Sequence, residues 1–532
     1  MEKHKSDVLI VGAGIAGLVC AYECLNKGLS VCVLDRDTED KAGGLAKLAF
    51  GGMALVDTPL QRRMGINDSP EIALRDWHSF AQFSDEDFMP RQWADYYVNH
   101  SAERIYHWLT GLGLKFFPAV NWVERGLYGD GNSLPRYHVI WGTGYRLVEL
   151  FLEKLANHQH KSKLSMLFRH KAEDFIQDNG RVVACQVLDE QSGDYKQFEA
   201  EAIVAACGGI SGNIDKVREN WYQPWGKAPA EILNGSHPYA DGLLHDRLAD
   251  KNSAVTHLDK MWNYAAGIPH PKPHFPGHGL SLIPCKSALW LDAQGKRIGP
   301  DPLVTGFDTN ELCRRVSQLP DPYTWQVLNW RIAAKEFAIS GSEHNPSLRD
   351  RKLIHFLKEV LLGNHALIKQ ISTESDHFIV ADSLPELVQK MNQLNGNQVV
   401  SLETLKQELE HFDAMINRGK GLWNDDQLRK IMHARAWRSD KVRTCKPKPI
   451  LDPKSGPLIA MKLRLISRKS LGGIQTNLQS QVLDTSGNVM PGLYAIGEAA
   501  GFGGGGASGF KSLEGTFLSG CILTARAAAD AI

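Results

Sequence analysis

Apolar and polar positions follow two different regimes along this chain. Asp7–Val11 is a short, β-branched apolar run, the composition of a strand buried in a parallel sheet. It leads directly into Gly12-Ala13-Gly14-Ile15-Ala16-Gly17; Leu18–Asn26 then reads as a helix, and Ser30–Leu34 as a second strand ending at Asp35. Ala202–Val204 reads as a further strand, and Thr516–Ala531, rich in small residues and preceded by Gly515, as a helix. From about 234 to 435 the strand–helix–strand rhythm breaks. That stretch carries Trp262, Tyr264, Phe275, Trp290, Phe307, Trp325 and Trp330, and between Leu353 and Asn417 its apolar residues fall at the three- and four-residue spacings of helices.

Each part of the first strand–turn–helix unit has a physical duty. Gly12 permits the tight turn, Gly14 lets backbone approach a pyrophosphate, and Gly17 allows the helix to pack closely on the strand. The helix N-terminus offers free amides and partial positive charge to phosphates. Asp35 stands where ribose hydroxyls are recognised. This unit predicts a dinucleotide site without separating FAD from NAD. No second such unit follows, because Gly501–Gly506 is a glycine run outside any strand–helix–strand context.

Composition narrows the class. A chain of 532 residues exceeds one compact core and suits two or three domains. Lys plus Arg and Asp plus Glu number 60 each, which argues against nucleic acid or an anionic membrane as the main partner and leaves local basic pockets open. The nine cysteines lack zinc or disulfide spacings, and Cys20 and Cys24 read as small core residues. No leader signature and no run of about 20 apolar residues is seen, so the expected location is the cytoplasm, with no transmembrane segment.

Further segments point to FAD. The stretch Gly43-Gly44-Leu45-Ala46 through Gly51-Gly52-Met53 resembles the paired-glycine segment of the fumarate reductase and succinate dehydrogenase flavoproteins. Pro491–Glu498 resembles that family's C-terminal segment, whose glutamate binds FAD, and Ala205–Gly209 resembles its mid-chain element with Cys207 in place of threonine. Within this superfamily the chain is similar to FAD-binding dehydrogenases related to the 3-ketosteroid dehydrogenases, through Asp57-Thr58-Pro59, Gln92-Trp93-Ala94, Trp141-Gly142-Thr143-Gly144 and Gly501–Gly506. The resemblance implies an α/β fold: a Rossmann-like FAD-binding domain (1–233 and 436–532) with an inserted α+β capping domain (234–435), which opens at Tyr239-Ala240-Asp241-Gly242. It assigns cofactor contacts to the Gly12–Gly17 loop, Asp35 and Arg36, Gly43, Gly44, Leu45 and Ala46, Gly51 and Gly52, Ala172, Ala206, Cys207 and Gly208, Gly497 and Glu498, and Ser512, Thr516 and Phe517. Succinate dehydrogenases tether FAD through a histidine where this chain has Leu45, so noncovalent FAD is expected.

The chemistry implied is hydride transfer at a carbon next to a carbonyl-activated C=C bond, with a protein group to move the proton. Fumarate reductases use an arginine donor in the cap, where this chain has Thr305; their substrate histidine and arginine are replaced by Lys469 and Ser512. Small dicarboxylates are therefore disfavoured. Ketosteroid dehydrogenases use tyrosines, for which Tyr264 and Tyr137 are the candidates, with His138 beside the latter and Lys469 or Lys511 as the cation that would acidify a phenol. Lowering a tyrosine from about 10 to about 7 takes roughly 4 kcal/mol. The tyrosine those enzymes carry beside the C-terminal glycine run is not evident here, where the nearest aromatic is Phe510. Arg136 and His138 also read as a buried polar latch, and prolines between His270, His274 and His278 prevent the helix that would align them on a metal, so no metal is expected. The leading expectation is a dehydrogenase or reductase of a bulky, apolar, steroid-like ketone with an unidentified electron donor or acceptor. The alternatives are a small carboxylated substrate held by Lys469 and Lys511, or an electron relay with no organic substrate.

Overall fold

The computed structural model describes residues 2–532. Its first sheet runs in the order Gln481–Leu483, Val489–Ala495, Tyr195–Ala205, Glu2–Val11, Val31–Leu34, Leu164–Leu167. Val8–Val11 pairs in parallel with Val31–Leu34 on one side and Ala202–Ala205 on the other, so both edges and both faces are covered and only apolar residues fit. Pairing with Tyr195–Ala205 extends the first strand back to Glu2 through a polar stretch that the apolar pattern did not mark. Ile15–Asn26 forms the first helix, starting one turn earlier than the sequence reading because the glycine loop's last residues are already helical.

The C-terminal part returns to this sheet. Val489–Ala495 adds a parallel strand beside Tyr195–Ala205, and the helix Thr516–Ala531 packs on Ile15–Asn26 in one shared core. A first helix with only small and apolar residues facing inward needs that cover.

The second sheet is centred on the long strand Leu458–Ser470, flanked by Met261–Pro269, Thr324–Asn329, Phe378–Ala381 and Ile232–Asn234. The cap sheet thus draws its central strand from beyond the boundary expected at 435; the hydrogen-bond ladder, which sequence does not display, decides the membership. Helices Leu353–Leu362, His365–Glu374, Leu384–Asn395 and Leu402–Asn417 follow the expected spacing. The strand Phe378–Ala381 interrupts them, its Phe-Ile-Val-Ala run being drawn into the ladder of Leu458–Met461. Trp325 is buried in the cap core, whereas Trp290 also reaches the cavity described next.

Candidate active site

Residues of both sheets line a cavity of about 1220 Å3. Single small-molecule sites usually occupy about 300–1,000 Å3, so this one has room for a dinucleotide and a second molecule.

At one end the glycine loop is held open by its neighbours. Gly12 has φ 117°, and a Cβ there would fall 2.3 Å from the Ala206 carbonyl oxygen; a Cβ on Gly17 would fall 1.9 Å from the Gly12 carbonyl oxygen. Gly17 therefore serves helix-on-strand packing and lies behind the cavity rather than on it. Asp35 accepts the Ala13 N–H at 2.6 Å and the Asp37 N–H at 2.8 Å, which ties the end of the second strand to the loop. Gly43 bridges to Gly14 and donates its N–H to the Ala13 carbonyl at 2.8 Å, bringing the second glycine segment against the first. Arg36 is fixed by Glu190 at 3.0 Å and Asp241 at 3.4 Å, and its guanidinium lies 4.4 Å from the centre of the Tyr239 ring.

Of the expected cofactor residues, Gly12, Gly14, Ile15, Ala16, Asp35 and Arg36 line the cavity, as do Gly43, Gly44, Leu45, Ala46, Gly51 and Gly52. Ala172, Ala206, Cys207, Gly208, Glu498 and Phe517 line it too. Ala13, Gly497, Ser512 and Thr516 do not: Gly497 donates its N–H to Thr524 Oγ1, and the Ser512 and Thr516 hydroxyls bond each other at 2.7 Å. Burial pushes Glu498 up to about 7 and the Cys207 thiol up to about 12. The Ser470 N–H donates to Glu498 at 2.9 Å.

The other end holds the reactive candidates. Tyr264 lies on the strand Met261–Pro269 between two register shifts against Leu458–Ser470, and such irregularities re-aim side chains. Its hydroxyl donates to Glu514 Oε2 at 2.9 Å, and Trp262 Nε1 donates to the same oxygen at 2.8 Å. Burial, then the nearby Glu514, push the Tyr264 phenol well above its ordinary value, so it is a neutral hydrogen-bond donor. Lys469 stands across the ladder from Trp262, with its ammonium 4.4 Å from the Phe517 ring centre and 5.9 Å from that of Tyr264. Burial and the adjacent Arg468 push Lys469 down to about 8. Arg468 donates to the Gly235 carbonyl at 2.5 Å, while its buried Nε has no protein partner. Tyr137 also lines the cavity, and burial raises its phenol; a Cβ on Gly52 would lie 2.0 Å from its hydroxyl, so the glycine makes room for the ring.

Two expected candidates stand elsewhere. His138 is buried outside the cavity, Nε2 bonded to Thr58 Oγ1 at 2.7 Å and Nδ1 to the Arg136 carbonyl at 2.6 Å, and burial pushes it down to about 4. With Arg136 paired to Asp68 and Asp76, the polar latch is what forms. Lys511 is tied to Asp308 at 2.6 Å and does not line the cavity, so it joins Lys469 in no anion site. His270 and His278 stack at 4.3 Å, and among the described residues no cluster of three His, Cys, Asp or Glu side chains is arranged to hold a metal.

Sequence reading missed Glu514, Arg468 and Glu124. The signal for Glu514 was its place directly before Gly515 at the start of a helix. Glu124 has φ 50°, is 2% exposed, lines the cavity, and accepts the N–H and hydroxyl of Thr309 at 2.9 and 2.5 Å; burial pushes it up to about 8. Nothing local in its sequence marked it.

Residues 7–518 match the family described as FAD binding domain. The chain belongs to that FAD-binding family. It is 41% identical to a KsdD-like steroid dehydrogenase of Mycobacterium tuberculosis, over 99% of this chain and 95% of the relative. Among solved structures, a flavocytochrome c3 fumarate reductase in its open conformation superposes with a TM-score of 0.70 at 18% identity, covering 99% of this chain and 78% of that one. A 3-ketosteroid delta1-dehydrogenase from Sterolibacterium denitrificans, solved with 1,4-androstadiene-3,17-dione, gives 0.69 at 16% identity, with 99% of each chain covered. The protein is thus an FAD-dependent oxidoreductase of the fumarate reductase and ketosteroid dehydrogenase fold.

The residues present fit FAD. A Cβ on Gly14 would meet no protein atom within 4 Å although the residue lines the cavity, which leaves that space to a ligand. The helix Ile15–Asn26 begins at Gly14 with no side-chain cap, leaving its first amides for the pyrophosphate. The helix Thr516–Ala531 likewise begins without a side-chain cap, and its first turns reach the cavity through Phe517, Leu518 and Cys521.

Proposed function

We propose that this flavoenzyme removes two hydrogens from adjacent carbons next to the ketone of a bulky, apolar, steroid-like substrate. Bound FAD supplies the hydride acceptor for the carbon β to the carbonyl. The observation that carries the reading is the Tyr264–Glu514 hydrogen bond facing the cavity beside Lys469. A neutral phenol is a poor base alone. Hydrogen-bonded to a carboxylate, it takes the proton from the α carbon as its own proton passes to Glu514, so no free phenolate forms. Lys469 and the unpartnered Nε edge of Arg468 supply positive charge for the ketone oxygen as negative charge grows on it. Tyr137 is the second phenol at the site and closes the wall over Gly52. Apolar side chains, among them Leu282, Leu312, Ile339 and Val360, form much of the remaining wall, which suits a ring system, with Lys286, Arg438 and Arg443 among its polar members. The steroid named for the 41%-identical relative supports the same class.

The test is anaerobic visible spectroscopy of the FAD-loaded enzyme mixed with a saturated-ring 3-ketosteroid. Bleaching of the oxidised flavin band is expected, and Tyr264→Phe should slow it by about 10²–10⁴-fold with FAD still bound. An unchanged spectrum across a panel of 3-ketosteroids and other bulky cyclic ketones overturns the reading.

A further inference from the structure

The helix Leu353–Leu362 presents apolar side chains to solvent. Ile354 is 70%, Leu361 62% and Leu362 74% exposed, Leu353 and Leu357 are exposed beside them, and none of the ten residues is buried. Four-residue spacing sets Leu353, Leu357 and Leu361 in one row next to Ile354. Scattered exposed apolar residues are ordinary on any protein; a contiguous row marks a surface that something covers. Leu357 and Leu361 of this row stand at the rim of the active-site cavity and line it together with the inner Phe356 and Val360, while Leu353, Ile354 and Leu362 lie off the cavity wall; Phe356 packs edge-on to Phe117 at 5.0 Å. The helix is therefore the lip of the cavity, apolar within and without.

The lip is also basic. Arg349, Arg351, Lys352 and Lys358 stand against two acids, Asp350 and Glu359; Asp350 pairs with Arg349 at 2.8 Å and with Lys352 at 3.4 Å, and the segment keeps an excess of positive charge. Arg351, Lys352 and Lys358 are exposed. A second copy of the chain docked by the same face would bring these cations together across a twofold axis, whereas anionic headgroups complement them. Ten residues span about 15 Å, half a bilayer core, and no helix among the described residues is long and apolar enough to cross a membrane. Such a segment lies in the interface plane.

We propose that Leu353–Leu362 is the surface by which the enzyme rests on an anionic lipid membrane, with the cavity mouth turned to the bilayer so that an apolar substrate enters from lipid. The entry route rests on the substrate class proposed above; membrane attachment does not.

The FAD-loaded enzyme is sedimented with vesicles of phosphatidylcholine plus phosphatidylglycerol, and with phosphatidylcholine alone. Wild type should pellet with the mixed vesicles at least tenfold more than Ile354→Glu/Leu362→Glu, both positions lying off the cavity wall, and added salt should weaken it. Lys352→Ser/Lys358→Ser should lose the preference for the anionic lipid, which gives a second reading if the first variant folds poorly. Unchanged flavin absorbance and melting temperature show that each variant is folded. Wild type left in the supernatant, equal pelleting of all variants, or a concentration-dependent dimer that the glutamates abolish while vesicles are ignored overturns the proposal. Vesicle binding is read without turnover: binding without ketosteroid bleaching defeats only the proposed substrate, and bleaching without binding defeats only the membrane surface.

Discussion

Single residues decide how this enzyme holds its cofactor and its protons. Leu45 lines the cavity where related succinate dehydrogenases carry the tethering histidine, and an alkyl side chain forms no bond to a flavin. Acid precipitation should therefore release the yellow colour into the supernatant, and colour retained in the pellet would contradict this. Glu124 makes a pH prediction with a defined sign. Burial raises it from 4.5 to about 8, so across that window the folded chain holds a proton the unfolded chain has released, and stability falls as pH rises, levelling above about 8. With FAD in equal excess at both pH values, the urea midpoint of wild type should drop more between pH 5 and pH 8 than that of Glu124→Gln. Equal drops would show that another group sets the slope. Glu124 was invisible in the sequence because its burial depends on Thr309, a partner from the cap.

Among the elements, the glycine turn was legible to the residue and the strand and helix around it in kind, though both begin earlier than read, since the turn's requirements are local: a left-handed turn at Gly12 and a close approach at Gly17. Gly12→Ala places a Cβ 2.3 Å from the Ala206 carbonyl oxygen at a backbone angle that L side chains resist, so the variant should purify without flavin and melt at a lower temperature. Retention of stoichiometric flavin would show that the loop can move aside. The strand Phe378–Ala381 and the long strand Leu458–Ser470 were less legible. An apolar run of four suits helix or strand equally, and only the neighbouring ladder chose.

For the whole molecule, a buried electrostatic joint ties the segment around Arg125 to the helices Asp426–Ala436 and Arg438–Lys441. Arg125, its side chain 2% exposed, reaches Asp440 and the His433 carbonyl, and its guanidinium lies 4.4 Å from the Trp122 ring centre. Removing one partner leaves a largely buried charge, which typically costs about 3–5 kcal/mol. Arg125→Met should lower the unfolding free energy by that order in a denaturant titration, while Arg125→Met/Asp440→Leu should recover a large part of it. A loss in the double variant equal to that in the single one would assign the effect to packing alone.

The order of amino acids determined the cofactor, the Rossmann-like strand–glycine–helix unit and the sharing of one FAD-binding domain by the two ends of the chain, because each depends on short-range backbone geometry that a few glycines and apolar runs spell out. It also set Tyr264, Tyr137 and Lys469 among the candidates. Tertiary structure alone decided which of them meet. It seated Glu514 under Tyr264 from the start of the last helix, carried Arg468 and Lys469 to the site on a strand of the cap sheet, and turned His138 and Lys511 to other partners. Those outcomes rest on contacts between segments up to hundreds of residues apart, where burial and pairing, rather than residue type, fix a side chain's charge and reach.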